Sequence, residues 1–356
     1  MVPFFILWVV YQLNGDRSIT GVVRILKGSY AKQTIQDTQF YNLHPYYGLF
    51  DGISANEIIN QIEELTKHHF LYIQNEQLII TPQGINQLDK LKRNIVKNQL
   101  FHIEQDHSIL LIDRTTKNTF WKRLSLLIQT LSYLSYHDFH FSPVISDLPV
   151  QKWVKKLLIS NTTDRVQRLT NQLHLEMNQL KDDLSEPEQK ILLYRLSGRH
   201  RMAFTWRQLE EELGYSIQEI KIMFNNLTYR LLQKVYHDPT RFKLLNMISE
   251  IDNKRSYLSP STIKTMQLLN HGFSIEEIAK KRGLTEGTIY DHIVEIILHS
   301  PIDLTRFTDE WKIEQIRELY RSIGSTNLSE YKKRLDPAIS YHEIRMVLAD
   351  QIKTKE

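Results

Sequence analysis

The chain has 356 residues, of which 41% are hydrophobic and 24% charged, with a formal net charge of +4 and no cysteine. That length allows about two to four domains of ordinary size, and the composition is that of a globular protein able to bury real cores. The lack of cysteine excludes disulfides and thiolate zinc sites and fits a reducing cytosol, while the mild positive charge permits nucleic acid as a partner only through local patches.

The chain opens on an apolar run, Phe4-Phe5-Ile6-Leu7-Trp8-Val9-Val10. The run lacks a basic flank and a small-residue cleavage site, and it falls short of the roughly 20 residues that span a bilayer. It predicts a buried core helix over 4–13, closed by Asn14-Gly15. A short helix follows around Gly21–Leu26, and Ser54-x-x-Glu57 is a capping box opening a helix to about Thr66. Phe70-Leu71-Tyr72-Ile73 and Leu78-Ile79-Ile80 flank Gln74-Asn75-Glu76-Gln77 and predict a hairpin in which Tyr72 packs. Thr81-Pro82-Gln83-Gly84 starts a last helix carrying Lys90, Lys92 and Arg93. Helices plus a two-stranded hairpin outline a winged helix over 1–95.

Residues 96–182 read as a helical connector with its own core. A helix runs from Phe120 to about Tyr136, Pro143 and Pro149 punctuate a loop, and helices follow near 150–160 and 162–182. In 183–246 the capping boxes Ser185-x-x-Glu188, Thr205-x-x-Gln208 and Ser216-x-x-Glu219 announce three helices. The last two are joined through Gly214 and describe a helix-turn-helix. The pattern recurs in 255–350, where Ser259-Pro260, Ser274-x-x-Glu277 and Thr285 start helices, Gly272 and Gly283 stop them, and Ser340-x-x-Glu343 opens the last. The fold class expected is mostly α, with tandem winged-helix and helix-turn-helix modules and one small β-hairpin wing.

Several stretches carry a family resemblance. Gly21-Val22-Val23-Arg24-Ile25-Leu26-Lys27-Gly28-Ser29, Tyr46-Tyr47-Gly48, the helix Ala55–Leu65 and Ile80-Thr81-Pro82-Gln83-Gly84 resemble the winged helix behind the motor of RecQ helicases. Ser261-Thr262-Ile263, Gly272-Phe273-Ser274-Ile275-Glu276-Glu277-Ile278-Ala279, Arg282, Thr288-Ile289 and Ser340-Tyr341-His342-Glu343-Ile344-Arg345 resemble the helicase-associated helix-turn-helix domain at the tail of some RecQ proteins. With Gln33-Thr34-Ile35-Gln36-Asp37 and the run Arg123–Ser132, the order of motifs is similar to a family of Firmicutes accessory proteins over nearly the whole chain. The 183–246 segment also resembles, more weakly, the final helix-turn-helix of sigma factors.

The resemblance implies partnership with a separately encoded RecQ-like helicase. Two departures stand out: the four-cysteine zinc module of RecQ helicases is missing, and the expected wing tip, Gln74-Asn75-Glu76, has no aromatic ring to pry bases apart.

No G-x-x-x-x-G-K-[ST] loop occurs, so the motor must be another polypeptide, and no paired-carboxylate or nucleophile motif marks an enzyme. No catalytic residue, cofactor or small-molecule substrate is expected. His137-Asp138-Phe139-His140 lacks a nearby third ligand and reads as a surface pair rather than a metal site.

Three groups are candidates for DNA. Arg24, Lys27, Gly28, Ser29, Lys32 and Gln33 combine cations, a hydroxyl and backbone N–H groups. Lys221, Asn225 and Arg230 fall on the polar face of the second helix of the middle module, with Arg199 and Arg201 ahead of it. Lys280, Lys281, Arg282 and Thr288 flank the third helix of the C-terminal module. That helix also carries Glu286, Asp291 and Glu295, which oppose phosphate and favour protein as its partner.

The expectation is a cytoplasmic, nucleoid-associated factor without membrane contact, binding forked DNA or single-stranded/duplex junctions beside a RecQ-like helicase. A promoter-reading regulator acting through 183–246 and a protein scaffold without DNA binding are the rival readings.

Overall fold

A computed structural model describes residues 1–97, 114–158, 163–249, 258–324, 326 and 328–353. Among them the fold is mostly helical, with one two-stranded antiparallel sheet.

The N-terminal unit comprises α1 (Val2–Leu13), α2 (Ile19–Lys27), α3 (Lys32–Phe40), α4 (Ala55–Lys67), β1 (Leu71–Gln74), β2 (Gln77–Ile80) and α5 (Pro82–Lys97). Helix α1 is apolar on every side because it is buried on nearly every side: Phe5, Ile6, Leu7, Val9 and Val10 have no exposed surface. It ends at Asn14 in the left-handed conformation, as Asn14-Gly15 predicts. Ser54 and Glu57 close their capping box around the first turn of α4. Strand residues pair Leu71 with Ile80 and Gln74 with Gln77, and Asn75 and Glu76 both take positive φ at the turn, which matches the strand twist. Leu71 and Leu78 face the core, whereas Tyr72, expected to pack, is 42% exposed on the opposite face beside Ile79.

The middle of the chain builds α6 (Arg114–Leu134), α7 (Leu148–Leu157), α8 (Thr163–Lys181), α9 (Glu186–Tyr194), α10 (Trp206–Leu213), α11 (Ile217–His237) and α12 (Lys243–Ser249). The helix expected from Phe120 begins a turn and a half earlier. Among the described residues the connector shares its core with the middle module: buried residues of α6, α7 and α8 form one cluster with those of α9 to α12. Glu176 of α8 stitches them, accepting from the Leu244 and Leu245 N–H groups at 3.0 and 2.9 Å and so capping α12.

The C-terminal part folds as α13 (Pro260–Asn270), α14 (Ile275–Arg282), α15 (Glu286–His299), α16 (Glu310–Ile323), α17 (Leu328–Arg334) and α18 (Tyr341–Lys353). Gly283 takes φ of +61° between α14 and α15, a conformation that a Cβ would penalise. Buried residues of this part and of the N-terminal unit form a single cluster. Among the described residues no helix is long and apolar enough to cross a membrane.

Candidate nucleic-acid interface

The first group of candidates divides. Arg24, in the last turn of α2, and Gln33, in the first turn of α3, are exposed. Lys27 turns inward, its ammonium donating to the carbonyls of Ile53 (2.5 Å) and Asp51 (3.1 Å). Burial holds its pKa below the usual lysine range, against the pull of Asp51. Gly28 is the meeting point of two backbones: it has φ of +70°, and a Cβ there would stand 2.9 Å from the Cα of Gly48. The carbonyl of Ser29 accepts from the Tyr47 hydroxyl at 3.0 Å. Lys32 points toward α15, 3.8 Å from Glu295, and burial lowers its pKa despite that carboxylate. Four of the six candidates therefore serve the protein's own joints.

The middle group is corrected more sharply. Helix α11 does not show its polar face to solvent. Asn225 is 7% exposed, donates to the Leu49 carbonyl at 3.1 Å and accepts from Lys117 Nζ at 3.0 Å. Arg230 is 4% exposed, pairs with Glu188 at 2.5 Å and donates to the Asp183 carbonyl at 3.1 Å. Lys221 donates to the Gly52 carbonyl at 2.9 Å. The face is polar because it meets the 48–57 segment of the N-terminal unit and the start of α9. A helix reads a major groove only with side chains free to reach base edges, and these are engaged. Arg199 and Arg201 stay at the surface, on a turn between α9 and α10.

In the C-terminal module Lys280 and Lys281 are exposed, with Lys281 Nζ 4.6 Å over the Phe273 ring. Arg282 folds inward onto the Ser261 carbonyl (2.8 Å), the Ser261 hydroxyl (2.9 Å) and the Thr265 hydroxyl. Thr288 bonds the Thr285 hydroxyl at 2.9 Å in the first turn of α15. Two of the three acids of α15, Asp291 and Glu295, are met by groups of this chain, while Glu286 is exposed. Asp291 pairs with Arg345 at 2.8 Å, and its carbonyl accepts from Gln36 of α3 at 3.0 Å. Glu295 accepts from the Ser259 N–H and the Thr262 hydroxyl, both at 2.5 Å.

His292 is fully buried in this joint, with its Nδ1 2.8 Å from the Thr265 hydroxyl. Burial, helped by the charges of Lys32 and Arg282, pushes its pKa from 6.5 down to about 4. Above pH 6.5 the imidazole is neutral in both folded and unfolded chains. As pH falls from 6.5 to about 4, the unfolded chain takes up a proton that the folded one refuses, so stability drops across that window. Urea midpoints measured between about pH 7 and about pH 4.5 should fall with pH, and less steeply in His292→Gln. Identical pH profiles for the two proteins would contradict this.

A further set of surface cations that spacing did not single out for DNA lies on α5. Lys90, Lys92 and Arg93 are exposed there against a single acid, Asp89, and Lys92 Nζ sits 5.0 Å over the Trp8 ring. The outer face of α4, by contrast, shows Glu57, Glu63 and Glu64. The clue was in the sequence, as Lys90 and Arg93 stand three apart on an expected helix. His137 sits in a turn with φ of +56°, not on a helix. Among the described residues no group of three or more His, Asp or Glu stands close enough to hold a metal ion.

The C-terminal part is a helix-turn-helix domain: a family model of that description matches residues 261–348, from α13 into α18. That domain class suggests DNA binding. Over nearly its full length the chain is also similar to "Protein YpbB" of Bacillus subtilis (strain 168), at 29% identity over 355 residues, covering 96% of this chain and 95% of that protein. No solved structure matches the chain.

Proposed function

We propose that this protein is a non-catalytic, DNA-binding accessory factor of a separately encoded RecQ-type helicase, active in the cytoplasm at the nucleoid in repair or recombination. It brings a wing and a helix-turn-helix tail to a forked or single-stranded/duplex junction while the helicase hydrolyses the nucleotide. One observation carries the reading. The two parts that resemble RecQ tail modules share a single buried core, so they travel as one body that a motor lacking them could recruit. The proposed phosphate contacts are the exposed cations: Lys90 and Arg93 on α5, Arg24 on α2, and Lys280 and Lys281 on α14. The promoter-reading alternative loses its instrument, because α11 is buried.

Co-purification with the helicase and fork-DNA binding at several salt concentrations test the proposal. Reversing Lys90 and Arg93 together to Glu should lower the slope of log affinity against log salt by about 2, from roughly 0.9 per lost phosphate contact. Reversal at Lys27 or Lys32 would instead report on folding. A chain that neither joins the helicase nor binds fork DNA in dilute salt overturns the proposal.

A further inference from the structure

Between α9 and α10 the chain makes a tight turn. Gly198 and Arg201 bond reciprocally through their backbones, at 2.8 Å from the Gly198 N–H and 3.3 Å from the Arg201 N–H. The turn is fastened to the end of α6 by the Arg199 N–H, which donates to the Ser132 hydroxyl at 3.1 Å. Its base is held by the Phe204 N–H on the Tyr194 carbonyl at 2.7 Å and by the Ala203 N–H on the Ser197 hydroxyl at 2.9 Å. This scaffold aligns cations and rings in alternation. Arg199 lies 5.0 Å over Tyr136, and His200 meets the same ring edge-on at 5.1 Å. Arg201 lies 4.6 Å over Tyr194, which itself stacks on Phe204 at 4.7 Å. Tyr136 is 58% exposed.

Single rings at a surface need no explanation, but rings interleaved with guanidinium groups on a stiff turn do. The carboxylates bonded to this patch are Asp138, which orients Arg199 from 3.2 Å, and Glu212 on the Tyr194 hydroxyl at 3.4 Å. Asp138 offsets Arg199, whereas Arg201 is exposed and bonded to no carboxylate among the described residues, so its guanidinium is the one the patch offers to a phosphate. Flat π-faces accept any base, and guanidinium planes both stack and attract phosphate. A duplex hides its base faces; a single strand offers them.

We propose that the turn 198–201 with Tyr136 and Tyr194 is a stacking platform for single-stranded nucleic acid without sequence preference. The inference deepens the junction-binding reading and rests on it, since it names which arm of the junction this surface takes.

The test uses the full chain with a labelled oligothymidylate and, separately, fully duplex DNA and the helicase. Tyr136→Ala should lose roughly tenfold to a hundredfold in single-strand affinity, as expected for losing one base stack. Duplex affinity and the urea midpoint should not move, and Tyr136→Phe, which keeps the ring, should bind as the parent does. Arg199→Gln/Arg201→Gln should weaken the single-strand arm and flatten its salt dependence. Unchanged single-strand affinity in both folded variants, Tyr136→Ala and Arg199→Gln/Arg201→Gln, overturns the platform. So does a parent chain that binds fork DNA but not oligothymidylate in dilute salt, an outcome that leaves the accessory reading intact. Loss of helicase capture with single-strand affinity retained would assign the patch to protein and also overturn it.

Discussion

Arg230→Ala should destabilise the folded chain by about 3–5 kcal/mol, the cost of breaking one side of a buried ion pair. The guanidinium is 4% exposed and its partner Glu188 3% exposed. Truncation would strand the Glu188 carboxylate, which also closes the capping box of α9 through the Ser185 N–H at 2.9 Å. Replacing both partners by methionine should cost far less, because no charge is then left alone in the interior. Urea unfolding of the two variants checks this, with DNA affinity measured on whatever remains folded. A single variant as stable as the parent but weaker on DNA would mean that Arg230 reaches the ligand after all.

Phe5→Ala should cost about 3–5 kcal/mol by leaving a cavity at the centre of the N-terminal unit. The ring has no exposed surface and sits among Phe4 (5.1 Å), Tyr46 (6.0 Å) and Phe50 (6.2 Å). Phe5→Leu, which fills most of the space, should lose much less. Because α1 packs directly on α5, the alanine variant should also lower fork binding at temperatures where the unit begins to melt. A variant as stable as the parent would show that the apolar run serves something other than this core.

What the sequence announced well was local. Reciprocal capping at Ser54/Glu57, Thr205/Gln208, Ser216/Glu219 and Ser274/Glu277 lies where those spacings predict it, since both partners of each box sit within four residues. Helix α3 escaped. Its N-cap, Ala31, offers no side-chain acceptor, and apart from Phe40 its buried residues are Thr34, Gln36, Asp37, Thr38 and Gln39, so no apolar period marks it. Remote partners satisfy two of them, Asp37 by Arg17 and Gln36 by Asp291 and Arg345, while Thr38 donates locally to the Ile35 carbonyl. The same cause misplaced Asn225 and Arg230, because a polar stripe facing water and one facing another polar surface are written with the same residues. Only the tertiary neighbour distinguishes them. Lys90 and Arg93 were legible as charges on a helix but not as the exposed ones.

The joint between α3, α15 and α18 has a practical consequence for anyone dissecting this polypeptide. Truncation ahead of α13 would strip Gln36 and Lys32 of their partners and bare the apolar flank that the tail covers. The resulting fragment would be sticky, and any binding it gained or lost would say little about the intact molecule. Mapping of partners on this scaffold belongs to point substitutions at exposed positions, with both ends of the polypeptide kept in place.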